Sequence, residues 1–133
     1  MSINTQLRRD WDLARDLSAS LRDSLGFGAE LEVWETGGGC TAGRLQLNFE
    51  RYLLITSDDL EMPAPNETVT VGWYADNDAE EAYCLLQFAD WVAFLNFAEL
   101  ASSMFTWGDF RSSQKEKALL LVDEVIEWNP EAL

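Results

Sequence analysis

The sequence predicts an α+β fold: an N-terminal helix, an antiparallel sheet of four or five strands, and two C-terminal helices packed in a two-layer domain. Three observations predict it. Apolar residues recur at helical spacing near the N-terminus and again from Trp91 to Phe105. Between these stretches several short segments alternate with period two, the signature of half-buried strands. The links between those segments are short and rich in turn residues, whereas parallel strands need crossovers of about a dozen residues. A meander covered on one face by helices follows, and 133 residues without an interdomain linker fit a single domain spanning 1–133.

The first helix is expected over Asn4–Leu25. Leu7, Trp11, Ala14, Leu21 and Leu25 recur at spacings of three, four and seven, with Leu17 beside them. Asn4 or Thr5 can cap the start and Gly26 can end it. Its other face carries Arg8, Arg9, Arg15 and Arg22 against Asp10, Asp12, Asp16 and Asp23, so this helix is electrically neutral.

Period two then takes over. Glu30–Trp34 alternates, and so does Arg44–Glu50, with Leu45, Leu47 and Phe49 on one face. Gly37-Gly38-Gly39 between them reads as the long turn of a hairpin. Tyr52–Thr56 is a third strand and Ser57–Asn66 a loop rich in Pro, Asp and Asn. Thr68–Tyr74 is a fourth strand, and Asp76–Glu81 a polar turn. Ala82–Phe88 reads as a fifth strand, or as the start of a helix running to Met104. Tyr83, Cys84 and Phe88 favour the strand, which leaves Asp90 to cap the helix after it. Trp107-Gly108-Asp109 breaks that helix. Ser112 or Ser113 opens a last one, through about Trp128, with Leu119, Val122, Val125 and Ile126 inward and Pro130 as its stop.

Composition narrows the chemistry. The chain has 24 Asp+Glu, 9 Lys+Arg and no His, a formal charge of −15. Without His, the Ser-His-Asp and Cys-His nucleophile pairs and His metal ligands are absent. The charge opposes direct binding to nucleic acid or an anionic membrane, which both call for Lys and Arg. With 47% apolar residues and 6 Trp, the chain has the core that disordered sequences lack. No stretch approaches the roughly 20 apolar residues of a membrane span. The N-terminal residues lack the apolar run of a signal peptide, so a cytoplasmic location is expected. There Cys40 and Cys84 are expected as free thiols.

Motifs with chemical meaning are incomplete. Gly37-Gly38-Gly39 is not followed by the Lys and helix of a phosphate loop. Asp76-Asn77-Asp78-Ala79-Glu80 opens like a calcium loop, but Glu81 and Gln87 stand where Gly and Glu are required. A carboxylate pair drawn from Asp58, Asp59, Glu61 and Asp90 would need an apolar pocket around one member. No catalytic residue, cofactor or metal ligand is assigned.

The position of the charge is more informative than its size. Residues 52–110 contain no Lys or Arg and eleven Asp or Glu. Two acidic loops flank the fourth strand: Asp58, Asp59 and Glu61 at one end, Asp76, Asp78, Glu80 and Glu81 at the other. None of these seven has a cation nearby in sequence. Trp34 falls on the face opposite Leu31 and Val33 and is the best candidate for an exposed anchor, with Trp107 next. Trp11, Trp73 and Trp91 are expected inside. These residues predict a non-catalytic acidic protein that docks on a basic protein surface, with Trp34 and the seven loop carboxylates in contact. The sharper expectation is a nucleic-acid mimic inhibiting a nucleic-acid-binding protein, as small inhibitors of phages or mobile elements do. Two other readings stay open: an assembly subunit using its apolar helix faces, and a carboxylate enzyme or divalent-metal binder.

Overall fold

Six strands and two helices make up the residues that the computed structural model describes: 3–26, 28–37, 40–47, 50–76, 78–101 and 119–128. Helix α1 (Ile3–Leu25) is followed by β1 (Glu32–Gly37), β2 (Cys40–Gln46), β3 (Tyr52–Thr56), β4 (Val69–Tyr74) and β5 (Cys84–Phe88). Helix α2 (Trp91–Leu100) and β6 (Glu124–Trp128) complete the order. Each strand pairs antiparallel with its neighbour in sequence order, so β1 and β6 are the edges. The α+β class and the antiparallel sheet agree with the sequence pattern. Among the described residues, no helix is long and apolar enough to cross a membrane.

Both helices lie on one face of the sheet. From α1, Leu17 and Leu21 are fully buried, and Ala14 nearly so. They meet a sheet face built from Leu45, Leu53, Ile55, Val69, Val71, Trp73, Leu86 and Phe88. Phe94 and Phe97 of α2 close on Phe88 at ring distances of 5.3 and 5.0 Å. The α2 start behaves as its sequence indicates, because Asp90 accepts the Ala93 amide at 3.0 Å. Gly26, at φ 75°, ends α1 with its amide on the Arg22 carbonyl, a conformation that disfavours side chains with a Cβ. The inward apolar faces of both helices are therefore used up in the chain's own core.

Several expectations need correction. The region before Trp128 is not a helix ending there. Only Leu119 is helical among residues 119–128, and Glu124–Trp128 is a sixth strand. Val125 and Ile126 sit on the sheet edge at 46% and 47% exposure, not inward. Leu119, Val122 and Val125 satisfy a helical spacing, but Glu124-Val125-Ile126-Glu127-Trp128 offers β-branched residues to the unpaired edge of β5, and strand pairing wins. The opening of that helix at Ser112 or Ser113, and the break at Trp107-Gly108-Asp109, lie outside the described residues. Helix α2 ends at Leu100, five residues short of Phe105.

The first hairpin is displaced toward its glycines. Strand β2 starts at Cys40 and stops at Gln46, so only Gly38 and Gly39 separate the paired residues Gly37 and Cys40. The turn is short, not long. Gly43 of β2 stands where a Cβ would come within 2.8 Å of the sulfur of buried Met62. The β3–β4 loop lays Met62 against β2 at this point, and a side chain at position 43 would have to displace the Met62 thioether. Asn4 and Thr5 lie inside α1 and do not cap it.

Trp11 is 67% exposed, against the expectation that it packs inward. At about 100° per residue it stands roughly 60° from Ala14, on the border of the buried stripe. It also borders the groove between α1 and edge strand β1, and among the described residues no further strand lies beyond β1.

Candidate protein-docking surface

The predicted carboxylates sit on well-fixed loops. In the β3–β4 loop the Ser57 amide donates to the Glu61 carbonyl at 2.7 Å, and the Leu60 amide to the Ser57 carbonyl at 3.1 Å. Ser57 Oγ accepts the amides of Asp59 and Glu61. Leu60, at φ 59°, makes the reversal that turns its carbonyl to the Thr41 amide of β2. Asp58 and Asp59 are thereby held at the outside of a closed loop. In the β4–β5 loop Asp76 accepts the Asp78 amide at 2.8 Å, an Asx turn that presents Asp78, Glu80 and Glu81 to water.

These two loops stand at opposite ends of β4, separated by its six residues, roughly 20 Å at about 3.3 Å per residue. Strand β6 joins them. Glu124 pairs with Gln87, Val125 with Leu86 and Glu127 with Leu85, with a register shift that leaves Ile126 as an extra residue. Directly paired residues share a face. Leu86 faces the core, so Val125 lies on the side of α1 and α2, and Glu124 and Glu127 both lie on the opposite side of the sheet. Without the bulge, residues three apart in a strand would face opposite ways. Asp58 accepts from Gln87 Nε2 at 3.2 Å, and the Asp123 amide donates to the Gln87 carbonyl, which brings the loop to the start of β6. A stripe of carboxylates results: Asp58 and Asp59, then Asp123 and Glu124, then Glu127, then the loop from Asp76 to Glu81.

One predicted carboxylate has a different setting. Glu61 pairs with Arg9 of α1 at 3.4 Å, and Glu67 does so through the second guanidinium nitrogen. Sequence proximity missed this cation because 52 residues separate Arg9 from Glu61. Among the described residues, Asp58, Asp59, Asp76, Asp78, Glu80 and Glu81 form no salt bridge. Asp123, Glu124 and Glu127 escaped the sequence reading because their segment was assigned to a helix. The β-branched pair Val125-Ile126 beside Trp128 was the signal that could have pointed to a strand.

Trp34 is 41% exposed, as expected, but stands apart from the stripe on β1, the other edge of the sheet. Its ring carries the Arg44 guanidinium at 4.0 Å, and that guanidinium also lies 4.3 Å from the Tyr52 ring and donates to Gln46 Oε1 at 3.0 Å. Tyr52 stacks on Tyr74 at 4.9 Å and 6°. A row of flat groups thus crosses four strands on the face away from α1 and α2. Gly72 makes room for it, since a Cβ there would meet the Tyr74 ring at 3.1 Å. Burial pushes the Tyr74 phenol above its usual range, and the neighbouring Tyr52 hydroxyl adds to the effect. Trp107 lies outside the described residues.

Beside β1, on its helix side, a groove of about 510 Å³ separates the strand from α1. Its lining mixes apolar Trp11, Ala14, Leu31 and Val33 with charged Arg15, Arg22, Glu30 and Glu32. The Leu31 amide is taken by Ser18 Oγ at 2.9 Å, which in turn donates to the Ala14 carbonyl, so the strand entrance is tied to the helix.

The cysteines are both free thiols, Cys84 buried and Cys40 partly exposed. Burial, with a smaller contribution from Glu127, raises the Cys84 thiol far above its ordinary range, so it is protonated at neutral pH. Among the described residues no group of three or more His, Cys, Asp or Glu is placed to hold a metal ion. Comparison with known proteins gave no match to a family model, to a curated protein or to a solved structure.

Proposed function

We propose that this chain is a non-catalytic docking protein whose carboxylate stripe engages a basic protein surface, in the manner of a nucleic-acid mimic. The observation that supports this reading is the β6 bulge. It turns Glu124 and Glu127 to the same side of the strand that runs between the two acidic loops. A surface that served only solubility would need no such alignment, because dispersed carboxylates repel one another less. Fixed loops also suit the role, since little conformational freedom is lost when the partner binds. The seven loop carboxylates, with Asp123, Glu124 and Glu127, take the place that phosphates occupy in a basic channel. Glu61 contributes less than its neighbours because Arg9 already balances it.

The test uses the folded chain immobilised as bait for basic proteins from a lysate at low salt. Retained proteins should elute steeply with rising salt, and duplex DNA should displace them, because both ligands compete for the same cationic surface. The variant Asp58→Lys/Asp59→Lys/Asp76→Lys/Asp78→Lys should keep its circular dichroism spectrum and lose the retained proteins. Retention that ignores salt, DNA and the four substitutions overturns the reading.

A further inference from the structure

We infer that Arg9 is a positioning residue for the β3–β4 loop: as the shared counter-ion of Asp10, Glu61 and Glu67, it lets the loop close on α1 and leaves Asp58 and Asp59 as the loop's outward charge. One guanidinium reaches carboxylates from two distant parts of the chain. Its Nη1 lies 3.5 Å from Asp10 and 3.4 Å from Glu61, and its Nη2 lies 3.4 Å from Glu67. Asp10 gives one oxygen to Arg9 and the other to the Thr41 hydroxyl. The Thr41 amide donates to the carbonyl of Leu60, the residue before Glu61. A closed ring of contacts therefore runs from Arg9 through Asp10, Thr41, Leu60 and Glu61 back to Arg9, and it joins α1, β2 and the loop. The Glu67 oxygen that faces Arg9 also accepts the Ala64 amide at 2.8 Å, and the Glu67 amide donates to the Ala64 carbonyl at 3.0 Å. Arg9 thus touches both turns of the loop.

Charge decides the role. Asp10 is completely buried, and Glu61 and Glu67 are partly buried. Like charges gathered away from bulk water repel one another and are held there only with a cation beside them. Core packing gathers them all the same. Met62, which follows Glu61, is fully buried, and the Pro63 and Pro65 carbonyls accept from the indole and the amide of Trp91. Lifting the loop away from α1 would pull Met62 out of the core, so the repulsion has to be balanced in place. The distances show how Arg9 balances it. Charge-assisted bonds from nitrogen to a carboxylate are about 2.7–2.9 Å long. All three contacts are longer, so Arg9 acts as a point charge shared by three anions, and an ammonium meets the same need. Asp58 and Asp59 lie in the same loop and form no salt bridge among the described residues. This sorting of inward and outward carboxylates belongs to the free chain and needs no partner, so it is tested apart from the docking reading.

The experiment is hydrogen exchange of the folded chain. In Arg9→Gln, the amides of Ser57, Leu60, Ala64 and Glu67 should exchange about tenfold faster, a change between the small loss of an exposed ion pair and the large loss of a buried one. The amides of Leu53, Ile55 and Val71 in the sheet should stay within about threefold of the wild type. Arg9→Lys should stay within about threefold at every one of these amides, because the charge is kept. Arg9→Gln/Glu61→Gln/Glu67→Gln should return the loop to within about threefold of the wild type, because the crowded charge is gone. If Arg9→Gln alone does not fold, the same two glutamate changes should restore its circular dichroism spectrum. Unchanged loop exchange in Arg9→Gln, equal acceleration in loop and sheet, a lysine variant as fast as the glutamine variant, or a triple variant that stays fast or unfolded would each overturn the inference.

Discussion

Thr41 donates its hydroxyl to the Asp10 carboxylate at 2.7 Å, and both residues are buried, Asp10 completely. The bond ties the first half of α1 to the start of β2. Arg9 stands beside it, reaching Asp10 at 3.5 Å and also Glu61 and Glu67. A carboxylate in a core is tolerated only with its partners in place.

Removing either partner should therefore have unequal effects. Asp10→Ala leaves a buried hydroxyl and a guanidinium short of their acceptor and should cost about 2–4 kcal/mol of stability. Thr41→Val removes one donor from a carboxylate that keeps Arg9 and should cost about 1–2 kcal/mol. Urea denaturation of the two variants and of the pair measures both losses, and their sum should exceed the loss in the double variant.

The contact between Gly43 and Met62 gives a second coupled pair. Gly43→Ala should destabilise by about 1–3 kcal/mol, since the new methyl overlaps the Met62 thioether in a filled core. In the background of Met62→Ala, which leaves room at that spot, the same change should be close to neutral. Equal costs in both backgrounds would mean that the sulfur is not what confines residue 43.

Thiol chemistry should distinguish the two cysteines. At pH 8 a disulfide reagent should modify one thiol per folded chain, the partly exposed Cys40, and both in denaturant. Cys84 stays protonated and shielded in the fold, and the thiolate is the reactive form. Cys40→Ser should abolish the fast reaction and Cys84→Ala should leave it.

Alkaline pH should weaken the fold through Tyr74 and Tyr83. Burial raises both phenols above the ordinary value of 10.0, and Tyr83 is moved further despite an opposing pull from Arg51. Below pH 10 both tyrosines are neutral in folded and unfolded chains alike, and their contribution is fully present. Above it the unfolded chain releases its protons first, so stability falls as pH rises. The slope between pH 10 and pH 11 should be shallower in Tyr74→Phe and in Tyr83→Phe.

The sequence made local relationships legible and left distant ones hidden. Helix α1, strands β3, β4 and β5 and the Asp90 cap follow from spacing and from residues within a few positions of one another. Exposure of Trp34 followed from the same alternation. Strand β6 did not, because Leu119, Val122 and Val125 satisfy a helical spacing, Glu124–Trp128 does not alternate, and the edge of β5 that it pairs with lies some forty residues earlier. Trp11 was misplaced for a related reason: periodicity locates a stripe, not the limit of the sheet beneath it. The acidic loops were found, but the link between them was not, since it depends on a bulge at Ile126 that no local pattern marks. Neither was the pairing of Glu61 with Arg9, which only the docking of α1 on the β3–β4 loop creates.

The sheet also has an implied order of assembly. Five of its strands form pairs with immediate neighbours in the chain, each closing a short loop, whereas β6 must return past α2 to find β5. Short loops close first and at the lowest entropic cost. A meander of β1–β5 under its helices can thus form early, with β6 arriving late as the last strand on an exposed edge. In hydrogen exchange pulsed during refolding, amides of Glu124–Trp128 should gain protection after those of the meander, so the line of charge is completed only when folding is nearly over.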